Sequence, residues 1–65
     1  MTRDKHLAQA IANAGGATRL AEALNIAQAS VSGWRRTPAA RVLEVEKITG
    51  VSRHELRPDL YPEGV

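Results

Sequence analysis

The chain has no cysteine and no phenylalanine, and its 65 residues include one tryptophan and one tyrosine. Each shortage excludes something. Without cysteine there is neither a disulfide framework nor a thiolate zinc site. His6 and His54 stand far apart with no ligand spacing around them, so no metal ligand is assigned and no metal is expected to staple the fold. No stretch approaches the roughly 18 consecutive apolar residues of a membrane span. The opening Met1-Thr2-Arg3-Asp4-Lys5-His6 leads into no long apolar core of a signal peptide. The expectation is a soluble protein of a reducing cytoplasm that does not bind membranes.

Scarce material limits function as well. A chain of 65 residues is one small domain, near the size at which a single core holds unaided. Pockets that bury a small molecule run to roughly 300–1,000 Å³. A binding module is therefore expected rather than an enzyme, with no cofactor and no small-molecule substrate. Glu44 and Glu46 are two apart on a helix and do not face each other as an acid–base pair. Ser30 and Ser32 have no histidine placed by the sequence as a base. No catalytic residue is assigned.

The net charge of +2 is mild, and its placement says more than its sum. Residues 1–41 carry Arg3, Lys5, Arg19, Arg35, Arg36 and Arg41 against Asp4 and Glu22; residues 42–65 carry three bases against five acids. One half is polarised basic, as suits a chain that meets a polyanion with one face. Non-specific architectural binding would call for more than nine Lys and Arg.

What is abundant is alanine among Leu, Gln, Glu and Arg, without sustained alternation of β-branched residues, and this predicts an all-α fold of five short helices. The first spans about Arg3–Ala14, with Leu7, Ala10, Ile11 and Ala14 as its apolar stripe and Gly15-Gly16 as its exit. The second spans about Ala17–Leu24, with Leu20, Ala21 and Leu24 inward. Asn25 makes the turn, because asparagine tolerates positive φ. The third runs from about Gln28 to Arg35 or Arg36, anchored by Val31 and Trp34 in the core. Thr37-Pro38 reads as N-cap and first turn of a fourth helix, which points Val42, Val45 and Ile48 inward and stops at Gly50. Ser52-x-x-Glu55 matches a capping box for a short last helix over Leu56, before Pro58. The tail from Asp59 to Val65 is expected to be extended.

Residues 17–36 therefore read as helix, tight turn, helix. Once Leu20, Ala21, Leu24, Ile26, Val31 and Trp34 are used for packing, Gln28, Ala29, Ser32 and Gly33 face outward. A face of short amide, methyl and hydroxyl groups suits close contact. The run LAEALNIAQASVSGWRR resembles the helix-turn-helix of phage Cro and repressor proteins, with Asn25 where those families usually place glycine. With GGATRLAEALNI, VSGW, EKITGVS and HELRPDLYP, the chain is similar over about residues 6–62 to YdaS-type Cro-like regulators.

That resemblance implies a lambda-repressor- or Cro-like domain over residues 1–65 that binds operator DNA through its third helix in the major groove. Gln28 falls on the first reading position, where its amide can form a bidentate pair with adenine worth roughly 1–3 kcal/mol of discrimination. Ala29 can pack on a thymine methyl, Ser32 can bond several bases, and Gly33 lets the backbone sit deep. Thr18 and Arg19, at the free N–H groups of the second helix, are candidate phosphate contacts; Ser30, Arg35 and Arg36 are the others. Blander roles stand beside these: a solvated Gln28, an Arg19–Glu22 pair, a solubilising Arg35-Arg36 at a helix end, and surface or capping roles for His6 and His54. Leu56 and Leu60 are expected to pack within the domain, while Tyr61 and Val65 stay open. The resemblance implies a repressor that assembles as a weak dimer on an operator. Its alternative is an antitoxin-like module that binds a protein through its acidic C-terminal half.

Overall fold

The computed structural model describes residues 3–62. Helix α1, Lys5–Ala14, starts at Asp4, whose carboxylate accepts the N–H groups of His6 and Leu7, each at 3.1 Å. The sequence expectation ran the helix through this cap to Arg3. Leu7, Ala10 and Ile11 are buried and Ala14 packs half-buried beside them, so the expected stripe is present. Gly15 ends α1 at φ 97°, a conformation other residues adopt only with strain, and its N–H returns to the Ala12 carbonyl.

Helix α2, Ala17–Leu24, has its expected bounds and buries Leu20, Ala21 and Leu24. Asn25 takes the left-handed turn at φ 59°, and the Ile26 N–H closes onto the Ala21 carbonyl. Helix α3 is Gln28–Ser32, shorter than expected. Two causes stop it. Gly33 favours helix weakly, and the Arg3 guanidinium occupies the Ser32 and Trp34 carbonyls. Val31 is wholly buried, whereas Trp34 is half-buried at the edge of the core rather than within it.

The Thr37 cap does not form. Pro38 is extended (ψ 142°), the chain enters a 3₁₀ turn at Ala39–Arg41, and α4 follows as Val42–Thr49. The Thr37 side chain points inward, and its buried hydroxyl oxygen has no partner. Inward positions of α4 are Val42, Val45 and Thr49, not Ile48, which is 38% exposed. Helical geometry explains the exchange: the seventh residue after Val42 returns to within about 20° of its direction, the sixth misses by about 120°. Thr49 tolerates burial because its hydroxyl donates to the Val45 carbonyl at 2.7 Å and accepts from the Val51 N–H.

Helix α5, Arg53–Leu56, is capped by Ser52, whose hydroxyl oxygen accepts from the His54 and Glu55 N–H groups. Glu55 turns instead to His6, with Oε2 lying 3.4 Å from Nε2, and so ties α5 to α1. Leu56 is buried as expected. The following segment is a turn, not an extension, because the Leu60 and Tyr61 N–H groups both donate to the Arg57 carbonyl. His54 Nδ1 donates to the Tyr61 carbonyl at 2.8 Å, and the Arg53 guanidinium lies over the Tyr61 ring. Tyr61 thus packs half-buried, while Leu60 stays exposed, contrary to expectation. Val65, Gly64 and Glu63 lie outside the described residues.

Among the described residues the fold is all-α, with five helices and one core. Leu7, Leu20, Val31, Val42, Val45 and Leu56 are its fully buried large side chains, each stabilising by about 1.5–3 kcal/mol. Helices α1, α2 and α4 pack against one another, and α5 against α1 and α4, whereas α3 packs closely on α2 alone. The third helix is therefore mounted on the side of the domain. No helix is long and apolar enough to cross a membrane.

Candidate nucleic-acid interface

Helix α3 buries Val31 and exposes Gln28, Ala29, Ser30 and Ser32, with Gly33 exposed at its end. The three side chains expected at base edges, Gln28, Ala29 and Ser32, thus lie on one accessible helix, with Gly33 just beyond its end. Two of them meet: Gln28 Nε2 donates to Ser32 Oγ at 2.7 Å, a bond between residues one helical turn apart. The amide is consequently anchored by one N–H. Its carbonyl oxygen and second N–H remain for a ligand, the donor–acceptor pair that adenine requires.

Gly33 lies at φ −83°, in ordinary helical territory, so its backbone does not demand glycine. The absence of a side chain simply leaves the surface at the end of α3 low.

The N-terminus of α2 flanks this face in sequence. Gly16 precedes it without a side-chain cap, so the first backbone N–H groups have no capping oxygen. Thr18 and Arg19 are exposed there. The Arg19–Glu22 ion pair does not form; among the described residues the salt bridges join His6 to Glu55, Arg36 and Arg57 to Asp59, Arg41 to Glu44, and Arg53 to Glu46. Arg35 is exposed in the segment after α3 and has no such bridge either.

Arg36 differs. Its Nη2 donates to Asp59 Oδ1 at 2.9 Å, and Asp59 is also clasped by Arg57 through Nε at 3.0 Å and Nη2 at 2.8 Å. Those Arg57 bonds, helped by the positive charge of Arg36, hold the Asp59 carboxyl down at about 2. The same hydrogen bonding raises Arg57 above its ordinary value. Arg57 Nη1 further donates to the Thr37 carbonyl, tying the C-terminal turn to the strap that follows α3. Arg36 is the peripheral member and can leave Asp59 without unpairing it. Away from this face, Glu46 is pulled below its ordinary value, chiefly by the Arg53 N–H, and joins α4 to α5.

Arg3 was missed as part of this region by sequence reasoning, which placed it in the first helix. Its Nη2 donates to the Ser32 carbonyl at 2.9 Å and its Nε to the Trp34 carbonyl at 3.1 Å, while the Asp4 N–H donates to the Arg35 carbonyl at 2.6 Å. No local signal announces a cation that serves carbonyls 29 and 31 residues away.

Among known families, the one described as bacterial toxin YdaS has a model that matches residues 7–65. No curated protein and no solved structure matches the chain.

Proposed function

The chain belongs to the bacterial toxin YdaS family, and from that premise we propose that it is a sequence-specific regulator that binds double-stranded operator DNA with α3 in the major groove. The observation that carries this reading is the α3 face: Gln28, Ala29, Ser32 and Gly33 are all exposed, unburdened by long charged chains, on a helix mounted at the side of the core. Gln28 leads the base readout, with Ala29 beside it. Thr18, Arg19, Ser30 and Arg35 grip phosphates, and Arg36 joins them by exchanging Asp59 for a phosphate oxygen. The protein acts by occupancy, without catalysis, cofactor or small-molecule substrate, in the cytoplasm of a bacterial cell and at the nucleoid when bound. Repression by excluding polymerase follows from such binding, and growth inhibition follows where the blocked promoter serves an essential gene.

Selection from a random duplex library at about physiological salt tests this, since specific binding there separates from the counterion-driven background. Enrichment of a defined site with adenine at one reading position supports the reading. A folded protein that enriches no site overturns it.

A second reading, a partner-binding module of a toxin–antitoxin or prophage system, draws on the word toxin in the family description and on the exposed Leu43, Ile48 and Leu60 of the acidic half. Gln28→Ala combined with Arg36→Ala abolishes activity under the first reading. Substitutions at Glu44, Glu46 or Tyr61 do so under the second.

A further inference from the structure

Helix α3 has five residues, fewer than two turns, and packs closely on α2 alone. A helix of that length has no stability of its own in water. Something beyond its sequence must fix its last turn and hence the direction of Gln28. The conventional device is missing: Gly33, at its C-terminus, is right-handed, so no left-handed cap gathers the terminal carbonyls.

The place of that cap is taken from outside. Arg3 sets a planar two-donor edge against the Ser32 and Trp34 carbonyls, and the neighbouring Asp4 N–H takes the Arg35 carbonyl. A guanidinium here also puts positive charge at the negative end of the helix dipole. Ser32 is the node. Its carbonyl is held by Arg3, and its hydroxyl oxygen receives the Gln28 side chain. A continuous chain of bonds therefore runs from Arg3 through Ser32 to the amide at the reading position. Arg3 precedes residues 7–65, the span shared with the family.

We propose that Arg3 and Ser32 are positioning residues that set the base specificity of Gln28, Arg3 by capping the end of α3 and Ser32 by holding the amide, without contacting DNA bases or phosphates themselves. The proposal rests on the DNA-binding reading. It changes the assignment of Ser32 from a base contact to a brace, and it accounts for one of the six bases of residues 1–41 as a structural cation rather than a phosphate ligand.

The test uses the full chain with Arg3→Gln, Arg3→Lys, Ser32→Ala and Gln28→Ala, each checked for folding by helical circular dichroism. Each variant is titrated against the selected duplex and its single base-pair variants over a range of salt concentrations. Under the proposal Gln28→Ala, Ser32→Ala and Arg3→Gln all relax discrimination at the same base pair, by about tenfold for Gln28→Ala and less for the other two. The salt dependence for Arg3→Gln stays that of the parent. Arg3→Lys recovers little, because an ammonium lacks the planar two-donor edge. Ser32→Ala relaxing a different base pair overturns the brace. A uniform loss for Arg3→Gln, with the salt slope smaller by about one, makes Arg3 a phosphate contact and overturns the cap.

Should the parent protein select no duplex, the DNA reading fails by itself, and amide hydrogen exchange then decides the bond chain. Faster exchange confined to residues 31–35 in Arg3→Gln keeps the cap. Exchange equal to the parent there removes it.

Discussion

At Gly33 the backbone is right-handed, and a Cβ added there would come 3.4 Å from the Ala29 carbonyl oxygen, an ordinary contact. Alanine therefore fits the folded chain and restricts the unfolded one, so Gly33→Ala is expected to raise stability by about 0.4–1 kcal/mol in urea denaturation. If α3 enters a groove, the same methyl meets the nucleic acid, and affinity for the selected duplex falls. Opposite signs in the two measurements are the expected outcome; unchanged affinity would place Gly33 away from DNA. Asp59 supplies a second prediction. Its carboxyl titrates at about 2 when folded, because Arg57 donates to both oxygens, and near 3.8 when unfolded. A depressed folded value means that the ion-paired carboxylate stabilises fully above the unfolded value, and that this share is lost as pH falls from about 4 through 2. Urea midpoints measured over that window should decline for the native chain and decline less for Asp59→Asn, the remainder coming from Glu46, whose value is also lowered. The exposed Gln28 and Ala29 were legible in the sequence, because removing the packed positions left them outward. The Arg3–Ser32, Thr37–Arg57 and Arg36–Asp59 bonds were not, because each joins residues 20 or more apart in the chain.

Elements whose ends are set locally could be read in advance. Gly15 and Asn25 terminate α1 and α2 through their own left-handed conformations, and both bounds stand where glycine and asparagine put them. Helix α3 could not be bounded this way, because its end is fixed by the distant Arg3 as well as by Gly33. The sequence pattern points Ile48 inward, but the Thr49 hydroxyl, satisfied by the Val45 carbonyl, makes the polar residue the buried one. Asp4 tests the value of a single local end. Its carboxylate holds two N–H groups of α1, and the Asp4 N–H that reaches Arg35 belongs to the backbone. Asp4→Ala should thus cost about 0.5–2 kcal/mol of stability while leaving the bond to Arg35 available. The expected result is a lower urea midpoint with unchanged base preference. A change of preference without loss of stability would mean that Asp4 acts on α3 rather than on α1.

For the whole molecule, charge and size bear on the proposed DNA binding. The basic half is less available than its count suggests, because Arg3 serves carbonyls, Arg41 faces Glu44 and Arg36 is shared with Asp59 of the acidic half. The five phosphate contacts proposed per copy, at Thr18, Arg19, Ser30, Arg35 and Arg36, include three cations, which correspond to a salt slope near −3. With so small a footprint, a single copy is expected to bind weakly, and two copies on one face of the duplex bind far better. The molecule measures 33 × 26 × 19 Å. Successive major-groove entries on one face lie about 34 Å apart. Two copies with the 33 Å axis along the duplex would fit side by side, one per half-site. The expected species is a monomer in free solution and a pair on a duplex carrying two half-sites about 10 bp apart, with a salt slope about twice that of a single half-site. Sedimentation on both duplexes measures the first quantity and titration against salt the second. One copy per two-site duplex, at every concentration, would remove the pair and leave a monomer that reads a single half-site.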